Sequence, residues 1–164
     1  LDENFLEKTW TGTLNGTTPV NIGTWTRVFR AYNDCITNFV GDITVNEVGG
    51  TTDYIKILDG NNQTLMCVYT IPADKVGYLT KYNLSAQKSS SATINFTAQL
   101  RTREFEKVFR VREIVSFGTD HDTRRRLDFP TALPPKTDRV FNIVDADGNN
   151  GSANADFDIA LHDL

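Results

Sequence analysis

Twelve residues near the end of the chain, DADGNNGSANAD from Asp145 to Asp156, carry its most conspicuous ligand chemistry. Oxygen-bearing side chains at the first, third, fifth and twelfth positions, Asp145, Asp147, Asn149 and Asp156, follow the ligand order of a calcium-binding loop. The sixth position, where such a loop turns sharply on glycine, is Asn150, and no bidentate glutamate closes the set. An EF-hand also needs a helix on each side, whereas RVFNIV and ADFDIAL alternate apolar and polar residues as strands do. The expectation is a glycine-and-asparagine hairpin joining the last two strands, with Gly148 and Gly151 at positive φ. Calcium is then an optional ion, and no other cofactor is implied.

Other catalytic chemistry finds little support. Nucleophilic catalysis needs a base beside a Ser or Cys, and the two histidines, His121 and His162, lie near no Gly-x-Ser-x-Gly elbow. Cys35 and Cys67 stand too far from each other and from the histidines for zinc-ligand spacing. They are also too few for a disulfide scaffold, so both read as free thiols, Cys67 buried within LMCVYTI. The Asp120-His121-Asp122 triplet offers three metal-ligating groups in one loop, weighed against a solvated acidic turn with no fourth ligand. The chain is expected not to be an enzyme.

The arginines carry more information. If QLRTRE and VFRVRE form a hairpin turning near Phe105 and Glu106, strand alternation places Arg101, Arg103, Arg110 and Arg112 on one face, opposite Leu100, Phe109 and Val111. Arg124, Arg125 and Arg126 follow soon after. Such a cluster holds carboxylates or phosphates by paired hydrogen bonds and suits a protein interface. The alternative is a solvated sheet face that Glu104, Glu106 and Glu113 neutralise. A second kind of surface would come from Trp10 and Trp25, which could stack sugar rings if both were exposed side by side.

The elements that must position these residues read as strands. TINFTAQL alternates strictly, and WTRVFRAY, DITVNEV, DYIKILD, LMCVYTI, YLTKYNLSA, KVFRVREI, RVFNIV and ADFDIAL do so more loosely, giving about nine or ten strands. Turn signals at NGTT, GG, DGNN, KSSS, FGTDHDT and Pro134-Pro135 separate them, and no window sustains helical spacing. The 164 residues suit one domain over 1–164, an all-β antiparallel β-sandwich of jelly-roll type, with 1–13 as an N-terminal arm or linker. A longer chain before Leu1 is left open.

Net charge of −4 gives no bulk attraction to nucleic acid. No apolar run approaches the ~18 residues of a membrane-spanning helix, so the reading is soluble, with no membrane partner. Asn-x-Ser/Thr sequons begin at Asn15, Asn62, Asn83, Asn95 and Asn150. Asn83 and Asn95 fall in strand-like runs that suit glycans poorly, so the sequons read as chance in an Asn- and Thr-rich chain.

The order of LNGTTPV, WTRVFRAY, GNNQTLMCVYTIPADKVGYLTKYNLSAQ and LRTREFEKVFRVRE resembles a family of virion structural proteins of tailed phages, especially marine and cyanobacterial ones. A T-I-P-A-G-K-T-G-Y-L-like turn recurs in that family, and here it reads TIPADKVGYL, with Asp74 in place of the glycine. The resemblance spans Leu14 to Leu164 and implies a particle component rather than an enzyme: a capsid decoration protein or a head or tail fibre domain, located in the virion. Its partners would be other virion subunits and further copies of itself, with a trimer plausible by symmetry. A carbohydrate-binding module for host-surface glycans is the alternative.

Overall fold

A computed structural model describes residues 1–88, 93–119, 121–148 and 151–164. Among the described residues the chain is all β, with antiparallel sheets and no helix. The strands are β1 (Ile43–Asn46), β2 (Asp53–Ile57), β3 (Val68–Thr70), β4 (Lys75–Lys88), β5 (Asn95–Arg103), β6 (Arg110–Gly118), β7 (Thr123–Leu133), β8 (Asp138–Ala146) and β9 (Gly151–Asp163). They fall into two compact units, Leu1–Met66 and Cys67–Leu164.

The first unit holds a two-stranded sheet, β1 against β2, in which Ile43 faces Ile57 and Val45 faces Ile55. Its start is tied down rather than forming a free arm over 1–13: the Leu1 nitrogen donates to Arg27 O at 2.6 Å, and Thr26 N donates back to Leu1 O at 3.0 Å. WTRVFRAY, expected to be a strand, makes only an isolated bridge from Tyr32 to Gln63. Its alternation is not expressed as burial, since Thr26, Arg27, Val28 and Phe29 are all half-buried. A period of two stabilises a strand only where a neighbouring ladder covers one face.

The second unit is the β-sandwich. A four-stranded sheet in the order β3-β8-β5-β6 and a three-stranded sheet in the order β7-β4-β9 share one core. The sandwich expected across 1–164 is thus confined to 67–164, because few apolar side chains of the first unit, Leu1, Phe5, Ile55 and Ile57, are fully buried. Alternation does its expected work in β5, where Phe96, Ala98, Leu100 and Thr102 point inward and the residues between them do not. From β4 come Leu79, Tyr82 and Leu84; Tyr82 meets Phe141 edge-on at 5.3 Å across the layers, and Phe96 stacks on Phe117 at 5.6 Å within the four-stranded sheet. Each such apolar side chain contributes about 1.5–3 kcal/mol by leaving water.

Of the connections from β3 to β9, only β5 to β6 stays within a sheet, and the others cross between layers. The segment after β8 is therefore not the expected hairpin: β8 pairs with β5 and β3, whereas β9 pairs with β4. Gly148 and Gly151 also have a different reason to be glycine, since neither takes positive φ. A Cβ on Gly151 would stand 2.7 Å from Ile94 Cδ1, and one on Gly148 3.0 Å from Ile94 Cγ1. Close packing over Ile94, not backbone freedom, excludes larger residues here.

Strand β7 was not anticipated, because TRRRLDFPTAL carries three consecutive arginines and a proline. Both features fit an edge strand. Arg126 faces Lys81 and Thr131 faces Leu79, so Leu127–Pro130 leave the ladder and Pro130 forfeits no pairing there. The TIPADKVGYL turn links β3 to β4 as its residues suggest. Ile71 is fully buried, with its N donating to Thr137 O and its O accepting from Lys136 N, both at 2.9 Å. Asp74 needs no left-handed backbone, which is why it can replace glycine. Gly77, in contrast, is required by packing: its Cβ would lie 2.4 Å from Ile71 Cδ1.

Candidate functional site

The β5–β6 hairpin turns at Glu104–Lys107 as expected, with Lys107 N donating to Glu104 O at 3.0 Å and Glu106 at a φ of 59°. Yet it does not gather four arginines on one face. Leu100 faces Glu113, but the next pair is Arg101 with Val111, so one extra residue sits in β6. This β-bulge reverses the side-chain phase beyond it. Arg101 shares the outer face with Val111, and Arg110 shares the inner face with Thr102.

Six of the seven arginines are consequently divided among three surfaces, while Arg110, opposite Thr102, is exposed and lines none of them. Arg101 and Arg103 lie on the outer face of the four-stranded sheet, their guanidinium carbons 5.2 and 4.5 Å from the centre of the Phe109 ring. Arg103 also donates from Nε to Asp138 at 2.6 Å, and Asp138 accepts from the buried Thr70 hydroxyl at 2.6 Å. On the outer face of the other sheet, Arg124 faces Asn83 and Arg126 faces Lys81. There Lys81 pairs with Asp158 at 3.0 Å, and Asn83 donates to Asp156 at 2.7 Å. Arg112 and Arg125 belong to the third surface, which lies between the sheets.

That third surface is a cavity of about 420 Å³ between the two layers. Its lining combines Leu79, Leu100, Leu127 and Leu133 with Arg112, Arg125, Arg139, Glu104 and Glu113. Arg125 reaches the cavity because it faces Tyr82, an inward residue of β4. It forms an ion pair with Glu113 from the opposite sheet, and both interact with the Tyr82 phenol. Burial is the largest of the effects that raise the Tyr82 pKa, with the bond to Glu113 next, so the phenol stays protonated. Arg112 lies 3.5 Å from Glu104.

Arg139 differs from its neighbours. Its residue is 3% exposed, its Nη1 donates to Thr102 Oγ1, and its Nε has no acceptor among the described residues. Burial, reinforced by the nearby Arg112 charge, lowers its pKa from the usual guanidinium range to about 10. No carboxylate among the described residues pairs with it. Among the described residues it is the strongly desolvated cation of the cavity without a counter-charge in contact.

Neither Thr102 nor Arg139 stands out in the sequence, and Glu113 reads there only as a charge that neutralises the arginine face. A signal existed, because Arg139 is in phase with Phe141, and Thr102 with Leu100, Ala98 and Phe96. A charge that keeps step with apolar residues along a strand marks an inward polar group.

The remaining candidates stand apart. Asp145 lies in β8 opposite Thr97, and Asp156 lies in β9 in the other sheet. Both oxygens of Asp147 are engaged by Asn95, at 2.6 Å from its backbone N and 2.8 Å from its side-chain amide, and these bonds lower the Asp147 pKa. Asn149 and Asn150 fall outside the described residues, as does Asp120 of the Asp-His-Asp triplet. Among the described residues no three His, Cys, Asp or Glu side chains gather as a metal site. Trp25 lies under the Lys8 ammonium at 4.7 Å and donates to Ile22 O at 2.8 Å. The Trp10 ring sits over Gly12, so each indole has a local partner of its own.

The two thiols separate cleanly. Cys35 is exposed, whereas burial pushes Cys67 up to about 12. At pH 8 a thiol reagent should modify exposed Cys35 first and half-buried Cys67 much more slowly, because its thiol stays protonated. Peptide mapping showing Cys67 labelled first would contradict this placement.

Fold and site together define an antiparallel β-sandwich with an arginine-bearing cavity between its layers. Compared with protein families, curated proteins and solved structures, the chain finds no match in any of the three.

Proposed function

We propose that the chain is a non-enzymatic assembly protein, a structural component of a tailed-phage virion that acts through contacts with neighbouring subunits. A capsid decoration protein or a head or tail fibre domain of jelly-roll type is the form that fits. The supporting observation is the outer surface of β6, an edge strand. Val108 just before it is 75% exposed, Val111 46% and Ile114 62%, next to the Arg101-Phe109-Arg103 stack.

Apolar side chains beside an aromatic ring and arginines are the composition of an interface core, and an open edge can add a strand from another chain. Further exposed apolar residues in the first unit, including Ile36, Val40 and Val48, extend the same argument. Contacts of this kind need complementary surfaces and no reacting group.

Light scattering across a concentration series should show association in the native chain, and Ile114→Asp should shift it to monomer with its circular dichroism intact. Reconstruction of a particle would then locate the chain. A strict monomer at every concentration, together with absence from purified virions, would remove this reading.

A further inference from the structure

The inter-sheet cavity has a chemistry that subunit contact does not require. Its lining carries three guanidinium groups, Arg112, Arg125 and Arg139, against two carboxylates, Glu104 and Glu113. The carboxylates are already committed, Glu113 to Arg125 and Glu104 to Arg112. One positive charge is left over, and it belongs to the most buried member, Arg139. The exposed side chains of Glu104, Arg112 and Arg125 stand at the polar rim, while Leu79, Leu100 and Leu133 are buried.

We propose that this cavity binds a small organic carboxylate, a monoanion whose carboxyl group answers Arg139 and whose short hydrocarbon body lies against Leu79, Leu127 and Leu133. Three features select this class. The charge surplus is one, so a monoanion neutralises the cavity and a dianion overshoots. Arginine presents planar paired donors that match a carboxylate edge, and Arg139 is among the residues that line the cavity. The lining also includes Leu79, Leu127 and Leu133 of the three-stranded sheet, which rewards an apolar tail that a purely inorganic anion lacks. A volume of about 420 Å³ lies in the range of small-molecule sites. Thr102, held by the Arg139 Nη1, fixes the guanidinium plane from the side of β5.

The test uses the full chain with sodium butyrate, sodium acetate and sodium phosphate as probes, each against sodium chloride at equal ionic strength. Butyrate should raise the melting temperature in a saturable manner and more than acetate does. Two-dimensional NMR should place its shift changes at Thr102, Leu127 and Arg139. Arg139→Lys, which keeps the charge but loses the paired donors, should weaken butyrate binding about tenfold, a loss of about 1.4 kcal/mol. Arg139→Met should abolish binding, and Arg124→Ala, on the outer face, should leave it unchanged. If Arg139→Met fails to fold, the lysine variant and the NMR map on the native chain still decide the matter. Phosphate binding tighter than butyrate would overturn the carboxylate assignment. Equal effects of butyrate and chloride, or shift changes spread over the outer faces, would overturn the site itself.

Discussion

Asp138→Ala should destabilise the sandwich by about 2–4 kcal/mol, among the largest losses expected from a single polar residue of this chain. Asp138 sits in β8 with strands on both sides, and its carboxylate reaches both of them. Thr70 of β3 donates to one oxygen at 2.6 Å, and Arg103 of β5 donates to the other, also at 2.6 Å from Nε. The carboxylate is 4% exposed and Thr70 1%, so these bonds form away from water. Removing it leaves the Thr70 hydroxyl buried without its partner and leaves Arg103 to seek solvent. The Arg103 side chain is one-third exposed, which keeps the loss below that of a fully buried broken pair.

Urea unfolding checks this expectation. The midpoint should fall with an unchanged slope, because the surface exposed on unfolding is the same. Asp138→Asn retains the acceptor for Thr70 but not the charge facing Arg103, so it should fall between the native chain and the alanine variant. A loss below about 1 kcal/mol for Asp138→Ala would show that the bonds from β3 and β5 contribute little beyond the ladder itself.

The fold class was legible because its signal is repeated. Alternation in TINFTAQL, YLTKYNLSA and ADFDIAL recurs as burial in β5, β4 and β9, since each has a core on one face. What the pattern could not supply was pairing. WTRVFRAY alternates as well as several true strands do, yet a strand exists only through its neighbours. TRRRLDFPTAL looks unlike a strand, but an edge position tolerates its arginines and its proline. The arginine cluster shows the same limit from another side. Each arginine was seen, but one bulge between Leu100 and Arg101 exchanged faces for half of the hairpin. No local residue preference announces a one-residue insertion, because its cause lies in how β6 meets the neighbouring layers.

Arg139→Met should act in the opposite direction to Asp138→Ala, one residue away, and raise stability by about 1–3 kcal/mol. The two side chains point to opposite faces of β8, and their surroundings set the sign. Asp138 is charged, buried and paired. Arg139 is charged, buried and without an ion pair among the described residues, and burial and the Arg112 charge outweigh the opposing influence of Glu113 and Tyr82. Methionine fills comparable space against Leu79, Leu100 and Leu133 without a desolvated charge. Loss of the bond to Thr102 subtracts about 1 kcal/mol, a cost included in the stated range.

Titration gives the same residue a second signature. The folded-state pKa of Arg139 is about 10, well below that of an exposed guanidinium, so above pH 10 the folded protein releases this proton while the unfolded chain still holds it. The unfolded state then binds more protons, and the native chain gains stability as pH rises through that window. The advantage of Arg139→Met should therefore be full below pH 10 and shrink above it. Comparing the two proteins at each pH cancels the lysines and tyrosines that titrate in the same interval. A variant that is less stable than the native chain at neutral pH, with a gap independent of pH, would mean that Arg139 is satisfied in the folded protein. A stability gain that narrows at high pH would identify Arg139 as a charge kept in the cavity against the interest of the fold. Carrying an uncompensated cation there is a cost that anion binding would offset.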